Sequence, residues 1–180
     1  MDYSELMMKE GNEKIDAVTI LREKVTIVPG LSREGFRQQC QENGFRAHRW
    51  AEEHFPWKDP RENAQAKKIE VELAVVPATK LTEMEGVVPA CLFATAGKLG
   101  FKPCTRAVAS QVPKELLKKL LEINDRFQLF VMSEPLSADE AGGLPAILEI
   151  TPAYEDEYEI NSSGSLLGYG WDFQYFLFFI

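Results

Sequence analysis

Few side chains in this chain have the types and spacing that catalysis or metal binding requires. His48, Glu52 and His54 come closest to a metal set. On a helix His48 and Glu52 share a face at i and i+4, but His54 falls about two-thirds of a turn round from His48, so three ligands do not converge. Cys40, Cys91 and Cys104 stand far apart in apolar surroundings, without zinc-like pairing. A thiol nucleophile would have to recruit one of only two histidines as its base and sit in an electropositive, partly open setting. Buried, reduced thiols are the simpler expectation. Ser162, Ser163, Gly164 and Ser165 read as a turn, not as the strand-to-helix elbow of a serine hydrolase. Gly142, Gly143 and the glycines from 164 to 170 lie outside any strand-to-helix dinucleotide context. These patterns assign no catalytic residue, no metal and no cofactor.

Carboxylates are the one chemical type that is concentrated. Residues 127–180 hold nine acids, Glu134, Asp139, Glu140, Glu149, Glu155, Asp156, Glu157, Glu159 and Asp172, and no Lys or Arg. The first 126 residues carry the remaining 19 acids against all 20 basic residues, so the net charge of −8 resides in the last third. The run from Glu155 to Glu159 lacks the glycine and terminal glutamate of a calcium loop and reads as a solvated turn. A one-signed field repels nucleic acid and attracts basic protein surfaces. Glu149, Glu155, Asp156, Glu157, Glu159 and Asp172 are therefore the expected partner-binding residues.

Arg33, Arg37, Arg46 and Arg49, with His48, make the N-terminal part locally basic, and Trp50 and Trp57 could serve as stacking platforms for a nucleic acid. Acids at Glu34, Glu42, Glu52 and Glu53 match them in number, and phosphate binding needs a surplus of positive charge. Nucleic acid is accordingly an unlikely partner.

The elements that must position these groups follow from periodicity. The first ~28 residues have a mixed pattern closest to helix. Ser32 as N-cap, Leu31 and Phe36 as a staple, and Asn43-Gly44 as a stop predict a helix from 33 to 42. A second helical segment runs from Phe45 to Phe55 and ends at Pro56, and residues 57–67 form a loop. Ile69, Val71, Leu73 and Val75 alternate as a strand does. Residues 88–99 and 114–123 suit helices, and 126–132, 146–151, 154–160 and 173–180 suit strands. The expectation is one α+β domain, 1–180. It has a mainly helical segment to residue 56 and an antiparallel C-terminal sheet of four to five strands with short helices packed on it. Residues 171–180 are apolar on both strand faces and predict a covered central strand, the alternative being a strand that awaits a partner.

No stretch approaches the ~20 apolar residues of a membrane span, and the cysteine pattern suits a reducing compartment, so the expected location is cytoplasmic.

Three stretches together resemble an uncharacterised family of small bacterial proteins: Lys98-Leu99-Gly100-Phe101 followed by Cys104 to Gln111, the segment Phe130 to Pro135, and the terminal YFLFF. The chain departs from that pattern at Thr105, Arg106 and Ala107. The resemblance implies the domain plan and brings no activity. The functional expectation is a non-enzymatic binding or accessory module. It would engage a protein partner, basic ones such as a nucleic-acid-binding protein or a toxin included, through the acidic C-terminal sheet or the aromatic strand. The rivals are a small enzyme using Cys104 or Cys40 with a histidine, and a nucleic-acid binder using the N-terminal arginines.

Overall fold

The computed structural model describes residues 12–53, 67–82, 89–133, 147–154, 157–163 and 173–180, with the backbone alone for residues 82, 89–93 and 163. Helix α1 covers residues 12–18. It leads into β1 (Leu21–Ile27), where Val25 and Ile27 are buried and Lys24 and Thr26 are exposed. The helical expectation for the first 28 residues is thus half corrected, because the period shortens to two after Ile20 and Arg22 and Lys24 must turn outward.

Helix α2 (Arg33–Asn43) forms as its caps dictate. The Ser32 Oγ accepts from the Gly35 N–H at 3.1 Å. Gly44 takes a left-handed φ of 67° that donates its N–H to the Cys40 and Gln41 carbonyls, while Phe36 and Cys40, one turn apart, face the core. The expected helix from Phe45 to Phe55 instead divides into β2 (Phe45–Ala47) and α3 (Arg49–Glu53). Phe45, buried on one side of β2, packs 6.3 Å from the Tyr158 ring. A long-range parallel pairing with the strand bearing Tyr158 overrides the weak local helical pattern here.

The remaining elements are β3 (Ile69–Pro77), α4 (Ala78–Thr82), α5 (Pro89–Leu99), a 3-10 helix (Arg106–Gln111), α6 (Lys114–Ile123), β4 (Gln128–Val131), β5 (Ile147–Pro152), β6 (Tyr158–Ser163) and β7 (Gln174–Phe179). The seven strands form a single mixed sheet in the order β1-β3-β7-β4-β5-β6-β2. The fold is α+β, but the sheet is larger than the expected four to five strands and draws on the N-terminal third. It is not wholly antiparallel, since β7 runs parallel to β4 and β2 parallel to β6.

Both sheet faces carry cores. One face gathers Val75, Leu129, Val131, Leu148, Ile150, Tyr158, Ile160 and Leu177 under α2, α3, the 3-10 helix and α6. The other gathers Ala74, Val76, Phe130, Met132, Phe176 and Phe178 under Ile15 and Val18 of α1, Leu81 of α4, and Ala96 and Leu99 of α5. Burial on both sides explains why β7 is apolar at every position from Tyr175 to Phe178. β3 is likewise covered on both sides from Leu73 to Val76, where the alternation of Ile69, Val71, Leu73 and Val75 had marked one buried face.

A reciprocal amide clamp ties the end of the 3-10 helix to the loop after β1. The Gln111 side chain accepts from the Val28 N–H at 2.8 Å and donates to the Val28 carbonyl at 3.0 Å. No described helix is long and apolar enough to cross a membrane.

Candidate functional site

The second face of the sheet is apolar where Ala74, Val76, Phe130, Met132, Ile147, Phe176 and Phe178 meet, and it turns polar along β5 beyond Ile147. Strand alternation sends Leu148, Ile150, Tyr158 and Ile160 to the first core, so Glu149, Thr151, Glu159 and Asn161 must project from the opposite face. Register then fixes their mutual placement. Glu149 is opposite Asn161, and Thr151 is opposite Glu159. The two carboxylates are diagonal neighbours across an antiparallel pair, a relation that places such residues about 7–8 Å apart. All four are half-buried.

The polar row continues on both sides. Glu159 is opposite Arg46 on β2, whose side chain is exposed. Toward the centre of the sheet, Gln128 of β4 is opposite Gln174 of β7 on this same face. Gln174 is only 5% exposed, and its Oε1 has no hydrogen-bond partner. Partial burial strips water from Glu149 and pushes its carboxyl above the usual carboxylate range. Neither Glu149 nor Glu159 forms an ion pair with a described residue. The arrangement can therefore hold hydrogen-bond donors and positive charge, with acceptors supplied from several strands.

Of the other expected partner-binding residues, Glu157 is exposed in the β5–β6 turn, where its N–H donates to the Tyr154 carbonyl at 3.3 Å. Tyr154 in the same turn is 89% exposed. Glu155, Asp156 and Asp172 lie outside the described residues. Glu149 and Glu159 are thus the pair brought together, and the signal for them was the alternation of β5 and β6. Gln128, Thr151 and Asn161 carried no signal of their own in the sequence, because only strand pairing sets them beside the acids.

The thiols are placed otherwise. Cys40 is buried on α2, and desolvation, aided by the Glu52 charge, pushes its thiol up to about 12. Cys104 is buried, its thiol also pushed up by burial, and its Sγ donates to the Leu177 carbonyl at 3.4 Å. The side chain of Cys91 lies outside the described residues. His48 is exposed and its Nδ1 accepts from the Trp50 N–H at 3.4 Å, so it serves neither thiol. His54, the third member of the possible metal set, lies outside the described residues. No group of His, Cys, Asp and Glu able to hold a metal occurs among the described residues.

The basic N-terminal residues are largely matched by acids. Arg37 pairs with Glu52, Arg49 with Glu53 at 2.8 Å, and Arg33 approaches Glu53 at 3.6 Å. A cleft of about 450 Å³ lies between the end of α2 and the start of α6 and includes Asn43, Gly44, Pro113 and Lys114. The Asn43 amide is already committed to the Ser110 carbonyl at 2.7 Å, and the lining carries Glu42, Lys114 and Glu115 but no histidine, cysteine, serine or threonine. No protein-family model, curated protein or solved structure matches the chain.

Proposed function

We infer that the protein is a binding module that holds a cationic protein partner against the carboxylate-bearing half of the sheet formed by β5 and β6. The observation that carries this reading is the placement of Glu149 and Glu159 on one half-buried face with no ion pair to a described residue. A partly desolvated carboxylate is costly when ionised, and a Lys or Arg from a partner relieves that cost by pairing with it. The surplus of nine acids in the last 54 residues adds long-range attraction for the same partner. The aromatic strand offers no comparable surface, since β7 is paired along both edges and buried on both faces. The thiols of Cys40 and Cys104 are buried, and Arg33, Arg37 and Arg49 are engaged by Glu52 and Glu53.

The test is fluorescence anisotropy with a labelled Lys- and Arg-rich peptide and an acidic control peptide, at low and high salt. Binding of the basic peptide at low salt is expected, weakening as salt screens the charges. The E149Q/E159Q double variant should weaken it by roughly tenfold or more. Absence of binding at low salt, or an affinity unchanged in the double variant, overturns the reading.

A further inference from the structure

Strand register maps the polar half of the second sheet face residue by residue. Glu149 stands opposite Asn161 and Thr151 opposite Glu159, so these four half-buried side chains mark the corners of one quadrilateral, with the carboxylates on a diagonal. Directly opposite residues on such a pair lie roughly 5 Å apart, and successive same-face residues on one strand about 7 Å apart. The pairing of Leu129 with Ile150 sets Gln128 of β4 beside Thr151, and Gln174 of β7 is opposite Gln128. Arg46 stands one strand outside the quadrilateral, opposite Glu159 and away from Glu149.

The corner groups are uncommitted within the described protein. The side chains of Glu149, Thr151, Glu159 and Asn161 make no hydrogen bond or ion pair with a described residue. At the inner end of the row Gln174 is 5% exposed, and its Oε1 has no hydrogen-bond partner. Buried polar atoms are paired in the great majority of cases. An acceptor left without a donor even there, on the face that carries two carboxylates, marks a surface short of donors.

Donor supply separates the two basic side chains. A lysine ammonium places three donors on one strongly hydrated point, whereas a guanidinium spreads five in a planar fork and is more weakly hydrated. The fork can bond a carboxylate with two donors and direct the others at neighbouring acceptors, and it loses less hydration on entering a half-buried face. Two carboxylates on one diagonal, with the Thr151 hydroxyl and the Asn161 amide on the other, suit that fork better than a point charge.

We propose that the β5–β6 face recognises arginine in preference to lysine, with a partner's guanidinium seated between Glu149 and Glu159 and donating also to Thr151 and Asn161. This proposal rests on the reading of the protein as a binder of a cationic partner and specifies the group that the partner presents.

The test compares, by fluorescence anisotropy at one salt concentration, peptides of equal length and charge that carry arginine, lysine or asymmetrically dimethylated arginine. Methylation keeps the charge and blocks paired hydrogen bonding. The arginine peptide should bind roughly tenfold more tightly than the other two. In the T151V/N161A variant, with folding checked by thermal melting, that ratio should fall to about threefold or less, and each single variant should lower it in part. If the peptides bind but arginine binds no more tightly than either of the others, arginine recognition is overturned and the cationic-partner reading stands. Failure of all three to bind overturns both. A ratio unchanged in T151V/N161A also overturns the proposal, because the preference then belongs to arginine in general and not to this face.

Discussion

Glu149 bears two opposing demands: it is drawn into a half-buried position by strand alternation, and its charge resists that position. With its carboxyl raised above the ordinary range, the folded state binds the Glu149 proton more tightly than the unfolded chain does. Stability contributed at this residue is then greatest at acid pH and is lost as pH rises from the ordinary carboxylate range through the folded-state value. Glu149→Gln removes the ionised form altogether. The E149Q variant should therefore melt above wild type at pH 7, and the difference should close as pH falls below the ordinary carboxylate range. Thermal melting between pH 3 and pH 8 checks this; a variant that melts lower at pH 7 would show that Glu149 makes a stabilising pairing. Together with weaker binding of a cationic peptide, a higher Tm in E149Q is the signature of a residue kept for binding at the expense of stability.

At the scale of elements, β7 organises the molecule. It pairs antiparallel with β3 and parallel with β4, and its alternate residues feed both cores. Phe176 lies 6.0 Å from the Phe130 ring and 6.4 Å from Phe178, while Phe178 stacks on Phe101 at 5.2 Å. Truncating a fully buried phenylalanine costs about 3–5 kcal/mol through lost transfer energy and the cavity left behind. Phe176→Ala should accordingly lower the Tm by roughly 6–20 °C, as read by a thermal or denaturant melt. An effect within 2 °C of wild type would contradict the double-sided burial of β7. The edge strand β1 shows the opposite logic. Lys24 and Arg22 point from the same face as the exposed Thr26, and charged residues of this kind keep an open sheet edge from pairing with another chain.

For the whole molecule, the division of charge matters more than its total. Arg33, Arg37 and Arg49, on α2 and α3, form ion pairs with Glu52 and Glu53, whereas Glu149 and Glu159 form no ion pair with a described residue, although Arg46 stands opposite Glu159. Phosphate backbones bind where several cations are unneutralised, and affinity falls with salt in proportion to their number. The protein should leave duplex DNA and single-stranded RNA unshifted in a gel at physiological salt. Micromolar retention that disappears in the Arg33→Ala, Arg37→Ala double variant would show that the ion pairs with Glu52 and Glu53 leave a basic face free to act.

What the sequence by itself determined is local and short in range. The caps of α2 were legible because Ser32 and Gly44 act within a turn of the residues they cap. The strands near 128–131, 147–152 and 174–179 were legible because apolar residues are dense there, and the covered nature of β7 because both of its faces are apolar. The tertiary structure alone decided the rest. Recruitment of Leu21–Ile27 and Phe45–Ala47 into the sheet, and the parallel pairings of β2 with β6 and β4 with β7, depend on partners more than 40 residues distant. So does the candidate site. Glu149 and Glu159 were visible as acids, but whether they shared a face depended on a register that a one-residue slip would invert.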